Sequence, residues 1–299
     1  MTHAGAAMEE ELHSQPEIWE RAIELAAASS GLPQHGERVA VIGCGTSWFM
    51  AKSYAAARED TGHGVTDAYA ASEARLGRDY DRVVAITRSG TTSEVLEALS
   101  GLQGQARTVR TVGIVGPSGT PLEPLVDDLI EMPFADERSV VQTRFATSAL
   151  TLLLAGLGLD QSDVVRDGRA ALELELPEAA VAAEQLTFLG LGASTGLAEE
   201  AALKCREAAQ AWTESYQAME YRHGPIAIAQ PGRATWMFGS APEGLADSVR
   251  DLGADWVNHD LAPIAELVLA QRVALERSRR AGLDADSPRG LTRSVILTD

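Results

Sequence analysis

Aromatic residues are scarce, at 5% of the chain, and there are two cysteines, Cys44 and Cys205. They lie far apart without CxxC spacing, which argues against a disulfide framework and fits a reducing cytoplasm. No apolar run approaches the roughly 20 residues that cross a bilayer, and the start MTHAGAAMEEELHSQPEIW lacks a basic stretch followed by an apolar one. The six histidines show neither HxxxH nor HxH spacing, so no metal site is expected. Positive charge is also short: 25 Lys and Arg stand against 43 Asp and Glu, for a net charge of −18. That balance repels nucleic acids and anionic membranes, so neither is expected as a partner. A small anion could still bind, but only at a site built locally from helix N-termini, hydroxyls or a placed arginine.

What is present is Ala, Gly and Val in alternating blocks. The 299 residues, 45% hydrophobic, suit two domains or one duplicated one. Residues 9–29 carry apolar side chains at helical spacing and read as one covering helix, within an N-terminal segment 1–30. Short apolar runs at 38–42, 82–86, 111–115 and 129–133 read as strands, and helices are expected through Arg58 and from Ser93 to Leu99. Residues 143–158 are apolar all round, as in a buried helix. The alternation predicts an α/β fold with parallel sheets and helices on both faces.

The chain also echoes itself. Val41-Ile-Gly-Cys-Gly-Thr-Ser47 reappears as Phe188-Leu-Gly-Leu-Gly-Ala-Ser194, each between a strand and an Ala-rich helix, which suggests duplication. We therefore expect a first module over 31–158 and a second over 159–299, the second abbreviated between Gly239 and Ala262, where a strand is missing.

The most informative loop is Thr87-Arg-Ser-Gly-Thr-Thr92, with four hydroxyls, a glycine and Arg88 at a helix start, where free amides already favour an anion. The plainer account is ordinary helix capping by Ser or Thr. Donor density and the arginine fork point instead to phosphate, provided that the loop lines an opening and is not filled by protein side chains. The corresponding stretch after residues 234–238 lacks the hydroxyls of Thr87, Ser89 and Thr92, so the anion site is expected in the first module only. Gly43-Cys-Gly-Thr-Ser47 allows close approach of backbone to ligand, with Thr46 and Ser47 in reach. It lacks the third glycine and the acidic residue of a dinucleotide fingerprint, and no Walker A motif is present, so no nucleotide cofactor is expected. Cys44 reads as a small buried residue.

On a helix expected over 195–212, Glu200, Lys204 and Glu207 fall at i, i+4 and i+7. By spacing alone they form an exposed ion-pair ladder. His223, in Tyr221-Arg-His-Gly-Pro225, sits on a turn that could aim its ring at a pocket, although most loop histidines have no catalytic part.

Six segments in order, EELHSQPEIW (10–19), GCGTS (43–47), ITRSGTTSE (86–94), ERSVVQTRFATS (137–148), ALKCREAAQAWTESYQAMEYRHGP (202–225) and DSPRGLTRSVIL (286–297), make the chain resemble the SIS (sugar isomerase) family over nearly its whole length. Within the family it is similar to the isomerase half of glucosamine-6-phosphate synthase and to stand-alone aminosugar-phosphate deaminases, isomerases and deglycases. The resemblance implies two tandem modules, each a three-layer α-β-α sandwich, and a phosphosugar substrate without metal or organic cofactor. It implies that Gly45, Thr46, Ser47, Thr87, Arg88, Ser89 and Thr92 hold the phosphate and nearby hydroxyls, with Val140 and Gln142 lining the sugar pocket. It further implies that Glu207 moves a proton between C1 and C2, with Lys204 placing charge beside it, that His223 assists ring opening, and that a homodimer shares the His223 loop across its interface. A carboxylate serves best in that role when burial raises its pKa.

Three departures qualify this. No glutaminase domain precedes the pair, so glutamine-dependent synthesis is not expected of this chain. The lysine of the synthases' tail is replaced by Arg293, which can hold an oxyanion but cannot form an imine. The loop reads Thr-Arg-Ser-Gly-Thr-Thr where synthases have Ser-Gln-Ser-Gly-Glu-Thr, and the abbreviated second module reshapes one pocket wall. The expected activity is isomerisation or deamination of an aminosugar or ketosamine 6-phosphate; the alternative is a non-catalytic phosphosugar-binding regulator.

Overall fold

A computed structural model describes residues 3–103 and 109–297; the outermost residues of the expected N-terminal and second-module segments, 1–2 and 298–299, lie outside it. The expected N-terminal helix is two helices, α1 (Ala6–His13) and α2 (Gln15–Ala28). The cause is Pro16, which has no N–H to continue the ladder and is tolerated only in a helix's first turn. The Gln15 side-chain amide donates to the Leu12 carbonyl in its place.

The chain then builds β1 (Val39–Gly43), α3 (Thr46–Asp60), β2 (Thr66–Ala70), β3 (Arg82–Thr87), α4 (Ser93–Ser100), β4 (Arg110–Val115), β5 (Asp128–Glu131) and α5 (Arg144–Gly156). Next come α6 (Ser162–Glu173), α7 (Glu178–Ala182), β6 (Gln185–Gly190), α8 (Ser194–Ala209), β7 (Trp212–Gln217), β8 (Arg233–Phe238), α9 (Leu245–Asp251), β9 (Asp255–Val257) and α10 (Pro263–Arg280). They fall into two compact units. The first comprises 17–137, 144–161 and 292–299; the second comprises 1–16, 138–143 and 162–291.

The first unit holds a five-stranded parallel sheet in the order β2-β1-β3-β4-β5. Its central strands are buried because helices cover both faces: all five residues of β1 and all six of β3 are buried. Helix α5 packs on α3 and buries Phe145, Leu150, Leu152 and Leu153, each worth about 1.5–3 kcal/mol of transfer free energy. The second unit repeats the scheme with four parallel strands, β7-β6-β8-β9, with α8 and α6 packed on α10. Its sheet is the smaller of the two, as expected. The stretch 239–262 holds α9 and β9 and then runs directly into α10, so the strand missing there is the counterpart of β5.

The duplication extends to side chains. Arg82 at the start of β3 is clamped by Glu37 through two hydrogen bonds of 2.8 Å, and Arg233 at the start of β8 donates to Glu184 at 3.0 Å. The repeated glycines have a common cause. A Cβ on Gly43 would stand 2.8 Å from Ser47, and one on Gly190 2.4 Å from the Ser194 carbonyl oxygen, so the helix can start this close to its strand only with glycine there. Gly45 and Gly192, with φ of 54° and 57°, take the left-handed turn between them.

Candidate active site

In the first unit, the expected anion loop lies where β3 ends and α4 begins. Thr92 is the N-cap residue of α4, yet its hydroxyl makes no capping bond. It stands 3.5 Å from the Thr87 hydroxyl and 3.5 Å from the Ser294 hydroxyl. The hydroxyls of Ser89 and Thr91 lie 2.9 Å apart. Capping is therefore not what this hydroxyl cluster does; it converges on one point beside the start of α4.

That point is occupied by the chain's own tail. Ser294 Oγ lies 3.1 Å from Ser89 Oγ and 2.9 Å from Thr91 Oγ1, and the Ser93 amide donates to the Val295 carbonyl at 3.2 Å. The loop is thus not open as the sequence reading required: side chain and backbone from residues 293–295 fill it. The tail takes the positions of acceptors, as an anion's oxygens would.

Arg88 is placed differently from the expectation of a fork aimed at phosphate. Its side chain is buried, with Nη1 3.6 Å from the Glu137 carboxylate and Nη2 donating to the Arg293 carbonyl at 2.9 Å. Glu137 is itself buried and accepts from the Arg144 amide at 2.8 Å, at the start of α5. Arg88 therefore ties loop, tail and α5 together. Arg293 pairs with the Asp136 carboxylate. Thr46 and Ser47 form the first turn of α3 behind Gly45 and are buried. Cys44 is half-buried, and burial pushes its thiol pKa up.

The second unit holds the other expected residues. Lys204 is fully buried in α8, with Nζ 3.3 Å from Glu200 and hydrogen-bonded to Glu207; Glu200 is 1% exposed. Burial alone would lower the lysine pKa, but the two carboxylates outweigh it and hold it above its ordinary value. The exposed ladder suggested by spacing is thus an internal charged cluster, with Glu207 at its accessible edge. His223 ends a short 3-10 turn at Glu220–His223 and is exposed, and the Gly224 that follows has a φ of 131°. The Val140 amide donates to the Asp286 carbonyl at 3.3 Å, while Gln142 keeps a buried Oε1 with no hydrogen-bond partner among the described residues. The predicted set is accordingly divided: Gly45, Thr46, Ser47, Thr87, Arg88, Ser89, Thr92 and Arg293 belong to the first unit, and Val140, Gln142, Lys204, Glu207 and His223 to the second.

Sequence reasoning missed Glu137 and Ser294 and left Glu200 on the surface. Only the last had a signal, the i, i+4 spacing to Lys204. Among the described residues no group of three or more His, Cys, Asp or Glu could hold a metal, and no helix is long and apolar enough to cross a membrane.

Residues 34–156 match the model of the SIS domain. The chain is 28% identical, over 97% of its length, to a glutamine–fructose-6-phosphate aminotransferase (isomerizing) of Gloeobacter violaceus, of which the match covers 58%. The chain thus spans little more than half the length of such relatives. Its fold is that of a glucosamine-6-phosphate deaminase from Thermotoga maritima, with a TM-score of 0.80 at 22% identity, covering 96% of this chain and 99% of that one. It is also that of the C-terminal domain of a glucosamine-fructose-6-phosphate aminotransferase from Francisella tularensis, with a TM-score of 0.77 at 22% identity, covering 94% and 98%. Family model, relatives and fold agree with the six ordered segments: residues 34–156 match a SIS domain, and the chain is similar in sequence to the isomerizing aminotransferases and in fold to the deaminase and the aminotransferase C-terminal domain.

Proposed function

We propose that this protein is a phosphosugar isomerase or deaminase acting on an aminosugar or ketosamine 6-phosphate, with Glu207 as the group that moves the proton. The observation that carries the reading is the buried cluster of α8. Taking an ammonium and a carboxylate out of water costs several kcal/mol per ion before pairing repays it, and a helix that only had to pack would place apolar residues there. What the cluster provides is a carboxylate, Glu207, held by a fixed ammonium at its exposed edge. In an aldose/ketose interconversion such a carboxylate takes the proton from C2, leaving an enediol or enolamine, and returns it to C1. In a deamination, water replaces the amine and ammonia leaves.

Phosphate is assigned to the loop after β3, whose Ser89, Thr91 and Thr92 hydroxyls and Ser93 amide already meet oxygen acceptors. The orphaned Gln142 Oε1 is a ready acceptor for a sugar hydroxyl. Arg88 serves by fixing the loop, Val140 by lining the sugar pocket, and His223 by assisting ring opening, in a homodimer whose subunits share that turn. Arg293 can stabilise an oxyanion but not form an imine, and this is the one feature that favours the second reading, a phosphosugar-binding regulator without catalysis.

The test is incubation with glucosamine 6-phosphate, fructose 6-phosphate and related sugars in deuterated buffer, following exchange at C1 and C2 and release of ammonia by NMR. Deuterium at these carbons is expected with at least one of them. Binding without exchange would leave the regulator.

A further inference from the structure

We propose that residues 293–295 are a strap that occupies the phosphate cradle as an internal competitor, and that a sugar phosphate binds by displacing it. The proposal rests on the phosphate reading of the loop given above.

Three consecutive residues lay three oxygens on the loop's donors. The Arg293 carbonyl takes the Arg88 guanidinium at 2.9 Å, Ser294 Oγ sits among the hydroxyls of Ser89, Thr91 and Thr92 at 2.9–3.5 Å, and the Val295 carbonyl takes the Ser93 amide at 3.2 Å. A phosphate ester would bring oxygens to the same hydroxyls and amide, and two acceptors cannot share one place. The anion would win on strength, since charge-assisted hydrogen bonds are roughly twice as strong as neutral ones.

The strap is built to leave. Besides the contacts above, the Leu297 amide donates to Ser93 Oγ at 2.9 Å and Arg293 pairs with Asp136 at the surface, so the strap's hold is polar throughout. Apolar burial adds little: Val295, Ile296 and Leu297 are 51%, 64% and 59% exposed. Meanwhile the strap keeps the buried Arg88 guanidinium and the half-buried donors of Ser89, Thr91 and Ser93 partnered while the site is empty. Apparent phosphate affinity is therefore the intrinsic affinity reduced by the fraction of molecules with the strap released.

The experiment titrates inorganic phosphate into the full chain by calorimetry, comparing wild type, Ser294→Ala and the double variant Ser89→Ala/Thr92→Val. It also follows amide hydrogen exchange at Leu297 in the wild type. We expect Ser294→Ala to bind phosphate about three- to tenfold more tightly, as loss of about one net hydrogen bond from the competitor implies. Saturating phosphate should speed exchange at Leu297. Unchanged or weaker binding by Ser294→Ala, or an unmoved Leu297, overturns the strap. If the double variant has then lost phosphate, the cradle stands without it. If the double variant binds phosphate as the wild type does, or no form binds at all, cradle and strap both fall.

Discussion

Behind β3 stand Thr87, Arg88, Ser89, Thr91 and Thr92, followed by a helix of eight residues; behind β8 the chain reads Gly239-Ser240-Ala241-Pro242-Glu243, followed by a helix of seven. Counted from the strand starts Arg82 and Arg233, Thr87 falls opposite Phe238 and Thr92 opposite Glu243. The helices show the reverse. Counted from the glycine pairs that precede α3 and α8, Glu200, Lys204 and Glu207 fall opposite Ser53, Ala57 and Asp60. The first copy has hydroxyl donors at a strand end, and the second has a lysine held between two carboxylates inside a helix.

Damage to each copy should therefore have a different signature. The largest effect is expected from Glu207→Gln, with turnover falling about 10²- to 10⁴-fold, the usual weight of a positioned acid or base, and sugar-phosphate affinity unchanged. Turnover equal to wild type would remove Glu207 from the mechanism.

Next comes Lys204→Met, which leaves Glu200 buried without its ammonium. A loss of about 3–5 kcal/mol in stability is expected in urea unfolding, and adding Glu200→Gln should recover part of it. A neutral Lys204→Met would mean that the cluster is hydrated in solution and not internal. In the other copy, Ser89→Ala/Thr92→Val should weaken sugar-phosphate binding about 10- to 100-fold by calorimetry, while Ser240→Ala should change nothing. Equal losses at both sites would erase the asymmetry.

The smallest effect concerns pH, in the second unit alone. His259 Nδ1 lies 2.7 Å from the buried Glu266 carboxylate, and that hydrogen bond raises the histidine pKa above its ordinary 6.5. A raised folded-state pKa gives stability that is fully present below the unfolded value of about 6.5 and is lost as pH rises through the folded one. His259 is partly exposed, so the contribution should stay under about 1 kcal/mol. His259→Gln should flatten the dependence of the urea midpoint between pH 5 and 8, and an equally steep profile would place the titration elsewhere.

How far these features were legible depends on whether they were local. The central strands β1, β3 and β4 and the buried helix α5 are continuous apolar runs, and the two Gly-x-Gly turns announce the duplication. The strands that were not foreseen, β2, β7 and β9, read TDAYA, WTESYQ and DWV. All three lie at sheet edges, where one side needs no partner and polar residues are tolerated. Loop chemistry was legible from Thr87 to Thr92 because the donors are neighbours in sequence. Its occupant was not, because Ser294 and Ser89 are 205 residues apart and nothing local in the tail signals the contact. Spacing gave the alignment of Glu200, Lys204 and Glu207 but not their burial, since an i, i+4 pair looks the same on a surface as inside. Arg88 shows the converse: its type suggested a ligand, and only the fold supplied Glu137 as its partner.

The most direct test of the central claim, that the donors behind β3 are a phosphate cradle, is an amide chemical-shift titration of the full chain with glucosamine 6-phosphate. Saturable shifts are predicted at residues 87–93, with none of comparable size at 239–244. Shifts at the second loop, or an unmoved first loop in a protein that binds the sugar, would contradict it.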